Sequence, residues 1–177
     1  MSSSSGPASS GEFVYKTMPS PVGELKLVAG DRGLAAILWV QDRPNRVRVK
    51  ATREQPNHPV LVEAERQLEE YFAGARKEFD LPLDFIGTDF QRQVWAELLK
   101  IPFGETRSYG EIARKLGDPN RMRAVGAANG RNPIAIVAPC HRVVGANGDL
   151  TGFAGGLEAK AHLLNLELGK TAFAFKD

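Results

Sequence analysis

The hydrophobic pattern of this chain changes near Gly87, and this change constrains the fold more than any other feature. Before Gly87, Glu24 to Ala29 alternates in the two-residue period of a strand, and Leu34 to Val40 is an apolar, β-favouring run. After Gly87, apolar residues recur at helical spacing. We therefore expect an α/β (α+β) chain, with an α/β domain at residues 13–86 and a mainly helical domain at residues 87–177.

The first domain is predicted to contain a small meander and one helix. A short strand at Phe13 to Met18 precedes the two strands above, and the turn Gly30-Asp31-Arg32-Gly33 joins those two. An antiparallel meander of about three strands needs a helix to cover one face. Asn57 to Gly74 carries the apolar stripe of such a helix, with Asn57 as its cap. Phe79 to Ile86 is expected to be an extended connection.

A run of basic residues without an acidic one lies between the meander and this helix: Arg43, Arg46, Arg48, Lys50 and Arg53. Charge runs are usually solvated, so we favour a solvated loop or an edge strand. The alternative is an accessory patch that contacts phosphates. The net charge of the chain is only +2, which by itself does not indicate a nucleic-acid partner.

The second domain is predicted to contain four helices, at Thr88–Lys100, Ser108–Leu116, Asp118–Gly130 and Leu157–Leu168. The first two open with capping boxes, Thr88 with Gln91 and Ser108 with Glu111. The third begins at Asp118-Pro119 or at Asn120. The last has an apolar stripe that starts at Leu157 and continues through Ala161, Leu164 and Leu168.

The second and third helices, joined by Gly117, form the pattern of a helix-turn-helix. Such pairs also occur as plain packing units, but basic residues dominate this one: Arg107, Arg114, Lys115, Arg121, Arg123 and Arg131. Small residues on the third helix allow a partner to approach its backbone closely: Ala124, Gly126, Ala127 and Ala128. That partner is a DNA groove or another helix.

Cys140 is the only cysteine of the chain, between Pro139 and His141. A single cysteine rules out an internal disulfide and fits a reducing, intracellular setting. A thiol with a pKa near ~8.5 becomes a nucleophile only beside a base, a positive charge or a helix N-terminus. Neighbouring side chains of a regular strand point to opposite faces, so His141 reaches the thiol only if the chain turns or a water bridges them. A nucleophile and an inert buried cysteine are therefore equally supported.

Several other classes of protein are disfavoured. The three histidines and one cysteine show no metal-ligand spacing, and the glycine-rich loop from Gly145 to Gly156 lacks the context of a phosphate cradle. No apolar run is long enough to cross a bilayer. Residues 1–12 have no apolar core of a secretory signal and indicate a disordered tail or a cloning remnant. We expect no cofactor, no metal and no membrane, and a cytoplasmic protein.

Motifs spread from Phe90 to Glu167 resemble those of the O6-alkylguanine-DNA alkyltransferases, the methylated-DNA–protein-cysteine methyltransferases. They are Phe90-Gln91-x-x-Val94-Trp95, Ile101-Pro102-x-Gly104-x-Thr106, Ser108-Tyr109-Gly110, Arg123-Ala124-Val125-Gly126, Asn132-Pro133, Pro139-Cys140-His141-Arg142-Val143-Val144 and Thr151-Gly152-Phe153-Ala154-Gly155-Gly156-Leu157. The Pro-Cys-His-Arg-Val-Val run is the most specific of them. The first domain is compatible with the small ribonuclease-H-like domain of that family.

The resemblance implies DNA repair by direct reversal. The helix-turn-helix would bind duplex DNA carrying O6-alkylguanine through the minor groove, and Arg123 would replace the flipped nucleotide in the stack. Cys140 would take the alkyl group in one irreversible turnover, with O4-alkylthymine as a further substrate. His141 would act as the base through a water, and Glu167 would orient it. The resemblance implies a monomer that can assemble cooperatively on DNA, associated with the nucleoid.

The resemblance also implies roles for other residues. Tyr109 would crowd the DNA backbone and donate a hydrogen bond to the guanine, and Asn132 would be the hinge before the active-site loop. The carbonyls of Cys140 and Val143 and the N–H of Ala154 would read the guanine edge. The residues implied to contact DNA are Ser108, Tyr109, Arg121, Met122, Arg123, Ala124, Gly126 and Arg131.

The chain departs from the family pattern at four positions. Phe153 stands where tyrosine is usual, Arg121 and Met122 where small residues are usual, and Arg131 where glycine is common. The ligands of the structural zinc found in some members are absent. Three competing interpretations remain: a non-catalytic lesion-binding relative, a helix-turn-helix regulator with an incidental cysteine, and a cysteine hydrolase.

Overall fold

A computed structural model of the chain describes residues 12–43, 46–51, 53–148, 150 and 152–169. The tail predicted at residues 1–12 lies outside these ranges except for Glu12. Within them, no helix combines the length and apolar character that crossing a membrane requires.

The first part of the chain forms a four-stranded sheet with strand order β3-β2-β1-β4. Its strands are β1 at Val14–Met18, β2 at Leu25–Gly30, β3 at Gly33–Trp39 and β4 at Arg53–Glu54. The first three pair antiparallel, which confirms the predicted meander. The short β4 pairs parallel with β1 and is exposed, so the end of the basic run is an edge strand.

Helix α1, at Pro59–Phe72, covers one face of this sheet. Leu61, Leu68 and Tyr71 are fully buried against Leu25 and Leu27 of β2, as their helical and alternating spacings require. The cap is His58, whose Nδ1 accepts from the N–H of Val60 at 3.2 Å, so the predicted Asn57 cap is wrong. Pro59 occupies the first helical position, which makes the residue directly before it the cap.

Two other segments of the chain hydrogen-bond to the edge of β3 that does not pair with β2. The N–H of Leu34 donates to the carbonyl of Pro82 at 2.8 Å, within the predicted extended connection. Further along, the N–H of Ile37 donates to the carbonyl of Pro133 at 2.8 Å. Residues 134–137 therefore belong to the same buried core as the sheet and α1. The segment that leads to Cys140 is anchored on the first part of the chain.

The second part consists of short elements around α2: α2 at Asp89–Leu98, β5 at Arg107–Ser108, α3 at Tyr109–Lys115, α4 at Met122–Gly130, β6 at Val143–Val144 and α5 at Leu157–Leu168. A 3-10 turn at Pro119–Arg121 precedes α4. Both predicted capping boxes are confirmed. Helix α2 ends two residues before the predicted Lys100. Gly117, with a φ of +91°, makes the turn between α3 and the 3-10 turn.

Helices α2, α3 and α4 share a core centred on Trp95, whose Nε1 donates to the carbonyl of Ala128 at 2.8 Å. Helix α5 has the predicted bounds, but its first stripe residue, Leu157, is 37% exposed. Its buried face instead contains Lys160 and Glu167 beside Ala161 and Leu164. These two charged side chains face the interior because their hydrogen-bond partners lie there, His141 for Glu167 and the carbonyl of Val143 for Lys160.

Candidate active site

The chain turns sharply on both sides of Cys140. Pro139 has φ −81° and ψ 68°, and the N–H of Cys140 donates to the carbonyl of Ala138 at 2.7 Å. This is an inverse γ-turn. It leads directly into a 3-10 turn at Cys140–Arg142, which ends at β6. Cys140 and His141 are therefore not neighbours on a regular strand.

A strained residue lies shortly before this turn. Ile136 has a φ of +72°, and the N–H of Val137 donates to the carbonyl of Ala135 at 2.7 Å. Positive φ is unfavourable for a β-branched residue and persists only where the surroundings enforce it. Here the hydrogen bonds to β3 on one side and the γ-turn on the other hold the segment in place.

Asn132, the predicted hinge, is buried and closes the loop that leads to Cys140. Its Nδ2 donates to the carbonyl of Ala138 at 2.8 Å, and its Oδ1 accepts from the N–H of Ile134 at 3.1 Å. Its side chain also hydrogen-bonds to the Cys140 thiol. One amide thus ties the end of α4, the strained segment and the nucleophile together.

Burial raises the pKa of the Cys140 thiol above its ordinary value. The hydrogen bond from Asn132 and the positive charges of Arg46 and Lys160 oppose this shift without cancelling it. The thiol is therefore protonated at neutral pH. A base must remove its proton before it can attack a carbon atom.

His141 and Glu167 form a fully buried pair, with Nε2 2.7 Å from Oε2. Arg142 holds both oxygens of the same carboxylate, with Nε 2.8 Å from Oε1 and Nη2 2.9 Å from Oε2. The hydroxyl of Tyr71, from α1, donates to Oε2 at 2.6 Å. The N–H of Gly104 lies 3.4 Å from Oε1, so four residues of the described chain hold Glu167 through five donor groups.

The partners of Glu167 determine the tautomer of His141. Burial alone would raise the pKa of Glu167, but the hydrogen bonds and charges of His141 and Arg142 outweigh it and hold the pKa at about 2. An ionised carboxylate only accepts, so Nε2 of His141 carries a proton. Burial lowers the pKa of His141. The ring is therefore neutral with a free lone pair on Nδ1, which has no hydrogen-bond partner among the described residues.

Lys160 is a site residue that the sequence analysis did not identify. Its Nζ is buried and donates to the carbonyl of Val143 at 2.7 Å. Burial lowers the pKa of Lys160 to about 8, although Cys140, when it is ionised, acts in the opposite direction. The signal was its spacing, because Lys160 and Glu167 are seven residues apart and therefore on one helix face.

Arg46 is a second residue whose place the sequence did not reveal. It was assigned to a solvated run, but it is 6% exposed, and the prediction is wrong for this residue. Its Nη1 lies 2.9 Å from the carbonyl of Gly130 and 3.1 Å from that of Asn132, and its Nε pairs with Asp42 at 2.8 Å. The end of α4 leaves carbonyls without helical partners, and a guanidinium satisfies two of them. The described remainder of the run is exposed.

The residues expected at DNA lie at the start of α3 and along α4, and Arg131 is the C-cap of α4. Arg121, Met122 and Arg123 are exposed in sequence at the start of α4, and Met122 retains 50% of its accessible surface. The guanidinium of Arg121 lies 3.9 Å from the centroid of the Phe90 ring. Arg131 is exposed, with Nη1 3.4 Å from the carbonyl of Arg46. These three arginines are therefore in different environments, with Arg121 stacked on α2.

Tyr109 and Ser108 are brought to the active-site turn by a parallel pairing. Arg107 and Ser108 of β5 pair with Val143 and Val144 of β6. Ser108 caps α3, and the space beside Gly126 of α4 is filled by the Tyr109 ring, 3.8 Å from an ideal Cβ there. The start of α3 thus lies between the nucleophile segment and α4. Ala124, like Gly126, is half-buried.

Two residues implied to recognise the guanine are also accounted for. The carbonyl of Val143 already accepts from Lys160, which leaves its second lone pair. Ala154 is half-buried in the turn before α5. Beside it, Phe153 packs edge-on against Trp39, with centroids 5.3 Å apart. An ideal Cβ on Gly155 would lie 2.5 Å from the same indole, so only glycine fits this close approach.

The residues described by the structure contain no cluster of three or more histidine, cysteine or carboxylate side chains that could hold a metal ion. The groups that the site presents are a buried thiol, a neutral imidazole oriented by a carboxylate, and a buried ammonium.

Comparison with known proteins agrees with this arrangement. The family model described as 6-O-methylguanine DNA methyltransferase, ribonuclease-like domain, matches residues 13–85, and the DNA binding domain of the same description matches residues 89–169. The methylated-DNA–protein-cysteine methyltransferase of Methanosarcina acetivorans is 49% identical over 153 residues, covering 86% of this chain and 97% of that protein. The protein of the same name from Mycobacterium bovis is 50% identical over 155 residues, covering 86% and 91%.

A solved structure extends the likeness to three dimensions. The crystal structure of Mycobacterium tuberculosis OGT in complex with DNA matches with a TM-score of 0.79 at 48% identity, covering 90% of this chain and 96% of that chain. Both family models and the relatives span nearly the whole described chain. The chain therefore belongs to the 6-O-methylguanine DNA methyltransferase family.

Proposed function

We propose that this protein is a methylated-DNA–protein-cysteine methyltransferase that repairs O6-alkylguanine in DNA by moving the alkyl group to Cys140. The observation that carries the proposal is that the buried thiol of Cys140 shares one 3-10 turn with a neutral His141, whose Nε2 is bound by Glu167. That arrangement supplies a nucleophile and a base. The names of the relatives supply the substrate class.

The reaction is a displacement at the alkyl carbon. A water relays the thiol proton of Cys140 to Nδ1 of His141, and the imidazolium is stabilised by Glu167. The sulfur then forms a bond to the carbon while the bond from that carbon to O6 breaks. The electron pair stays on the guanine, which takes up one proton and becomes a normal base. Overall, one thiol and one alkylated base give one thioether and one guanine.

The product explains why the protein acts once. A thioether has no good leaving group, so nothing in the site regenerates Cys140. The reaction needs neither a cofactor nor an oxyanion hole, because no tetrahedral intermediate forms. The protein is a stoichiometric reagent, which distinguishes it from a cysteine hydrolase.

DNA recognition in this proposal uses the half-buried start of α3 together with the exposed start and the C-cap of α4. We place α4 in the minor groove, with Arg123 filling the space of the flipped nucleotide. Ser108, Arg121, Met122 and Arg131 contact the backbone or groove walls, and the small Ala124 and Gly126 permit close approach. Tyr109 donates a hydrogen bond to the guanine, and the backbones of Cys140, Val143 and Ala154 read its edge.

Further points belong to the same proposal. The protein consists of two domains, residues 13–86 and 87–177, and acts as a monomer that can assemble cooperatively on DNA. It works in the cytoplasm, associated with the nucleoid when bound. O4-alkylthymine is a secondary substrate.

Intact-mass spectrometry tests the function. We expect incubation with a duplex oligonucleotide containing O6-methylguanine to add one methyl group per protein, on the peptide that contains Cys140. Cys140→Ala abolishes the transfer and retains binding to the same duplex in fluorescence anisotropy. Methylation that persists in this variant, or steady-state turnover of excess duplex by the wild type, overturns the proposal.

A further inference from the structure

Tyr71 connects the first part of the chain to the catalytic pair. It lies on α1, and its hydroxyl donates at 2.6 Å to Oε2 of Glu167, the oxygen that also binds His141. The two residues are 96 positions apart in sequence. A residue of the first part of the chain thus contacts the carboxylate that orients His141.

The position of this hydroxyl is fixed by packing. The Tyr71 ring is fully buried, with centroids 5.4 Å from Phe72, 5.4 Å from Phe79 and 6.3 Å from Phe103. Burial, then the negative charge and hydrogen bond of Glu167, raise the pKa of Tyr71. The phenol therefore keeps its proton throughout the working pH range and acts only as a donor to the carboxylate.

We propose that Tyr71 is a positioning residue for alkyl transfer, which orients the Glu167 carboxylate and takes up part of the acceptor capacity that His141 would otherwise use. The inference rests on the proposed function and adds a residue to it. Oε2 accepts from three donors, at 2.6 Å from Tyr71, 2.7 Å from His141 and 2.9 Å from Arg142. A carboxylate has about four acceptor positions in all, so these donors share its charge.

The Tyr71 hydroxyl affects the basicity of His141 in a direction that can be predicted. His141 faces Glu167 and Lys160 from α5, Arg142 from its own turn, and Tyr71 through Glu167. Of these, only Glu167 favours the imidazolium, whereas Arg142 and Lys160 oppose it. Removing the Tyr71 hydroxyl concentrates the carboxylate charge on His141 and makes the ring more basic. A more basic His141 is protonated at higher pH and is then lost as a base.

The pH dependence of alkyl transfer tests this role. For Tyr71→Phe, we expect the acid limb of the single-turnover rate with O6-methylguanine duplex to move upward by about one pH unit. The rate at pH 9 stays within about twofold of the wild type. A purely structural role would lower the rate equally at every pH. Tyr15→Phe is the matched control, because Tyr15 lies on β1, where its ring contacts Lys26, and it loses the same hydroxyl.

A second substitution reverses the sign. Site-specific replacement of Tyr71 by 3-fluorotyrosine makes the phenol a stronger donor without removing it, and we expect the acid limb to move to lower pH. An unshifted limb in both variants, or shifts of the same sign, overturns the inference even if the wild type transfers the methyl group normally. Absence of transfer in the wild type would instead refute the proposed function.

Discussion

Arg142 holds both carboxylate oxygens of Glu167 in a buried fork, with Nε 2.8 Å from Oε1 and Nη2 2.9 Å from Oε2. Its third nitrogen, Nη1, donates to the carbonyl of Ile101 at 2.6 Å. The fork fixes the plane of the carboxylate, and the carboxylate fixes the ring of His141. Arg142 of the Pro-Cys-His-Arg motif therefore orients the imidazole of His141 through Glu167, from within the same 3-10 turn as Cys140.

The Glu167 cluster makes the stability of the protein depend on acid pH. The pKa of Glu167 is lowered from 4.5 to about 2 in the folded protein, so its contribution is present above about pH 4.5 and is lost as the pH falls to about 2. The linkage is worth up to about 3 kcal/mol. We expect Glu167→Gln to be less stable in urea unfolding at pH 7 and the difference from the wild type to narrow toward pH 2.

Glu63 provides the control for this prediction. Its pKa is also lowered to about 2, chiefly by its hydrogen bond with Arg66, but the pair is exposed and screened by water. Glu63→Gln should change the unfolding free energy far less than Glu167→Gln. Equal effects of the two substitutions would contradict the assignment of the acid sensitivity to the buried cluster.

Lys160 should matter for the charge state of Cys140. We expect Lys160→Met to raise the pKa of the thiol and to reduce the transfer rate at pH 7 by about tenfold, as one pKa unit implies. Because the pKa of Lys160 is about 8, the difference from the wild type should shrink above pH 8, where Lys160 loses its own charge. Thiol titration by ultraviolet absorbance and single-turnover rates measure both effects. Lys100→Met, at an exposed ion pair with Glu97, should leave both unchanged.

Arg46 should link the sheet domain to the loop that carries the nucleophile. Arg46→Leu leaves Asp42 and the carbonyls of Gly130 and Asn132 without a guanidinium, and we expect a loss of roughly 3 kcal/mol in unfolding free energy. Arg46→Lys should recover only part of this unfolding free energy, because an ammonium cannot bind the Asp42 carboxylate and the two carbonyls together as the planar guanidinium does. Arg48→Leu, an exposed member of the same basic run, should be close to neutral. An unchanged unfolding free energy for Arg46→Leu would show that the buried contacts of Arg46 contribute nothing to stability.

Arg123 should act on base flipping more than on affinity. We expect Arg123→Ala to slow methyl transfer from duplex DNA by about a hundredfold, as the few kcal/mol cost of flipping implies. Reaction with free O6-benzylguanine, which needs no flipping, should stay within about twofold of the wild type. Arg66→Ala, on α1 and paired with Glu63 and Glu70, is the control. Near-normal methyl transfer from duplex DNA by Arg123→Ala would show that Arg123 has no role in base flipping.

Local patterns in the sequence were sufficient for most of the fold. Interactions within a few residues determine the alternation in β2, the two capping boxes and the bounds of α5. The sequence therefore predicts these features directly. The sequence did not predict the His58 cap because two signals disagree: Asn57 is a favoured cap residue, whereas Pro59 at the first helical position places the cap at residue 58. The exposure of Leu157 was missed because hydrophobicity alone does not show which face of α5 holds buried charges.

The sequence by itself determined the two-part architecture, the presence of a single cysteine and, through its ordered motifs, the family. Only the tertiary structure decided that Pro139 turns the chain, that Tyr71 and Arg46 reach the site from the first part, and that Lys160 is buried beside Val143. Those contacts join residues far apart in the chain. No short-range pattern encodes them, because a buried charge is placed by the packing of several elements and not by its own neighbours in sequence.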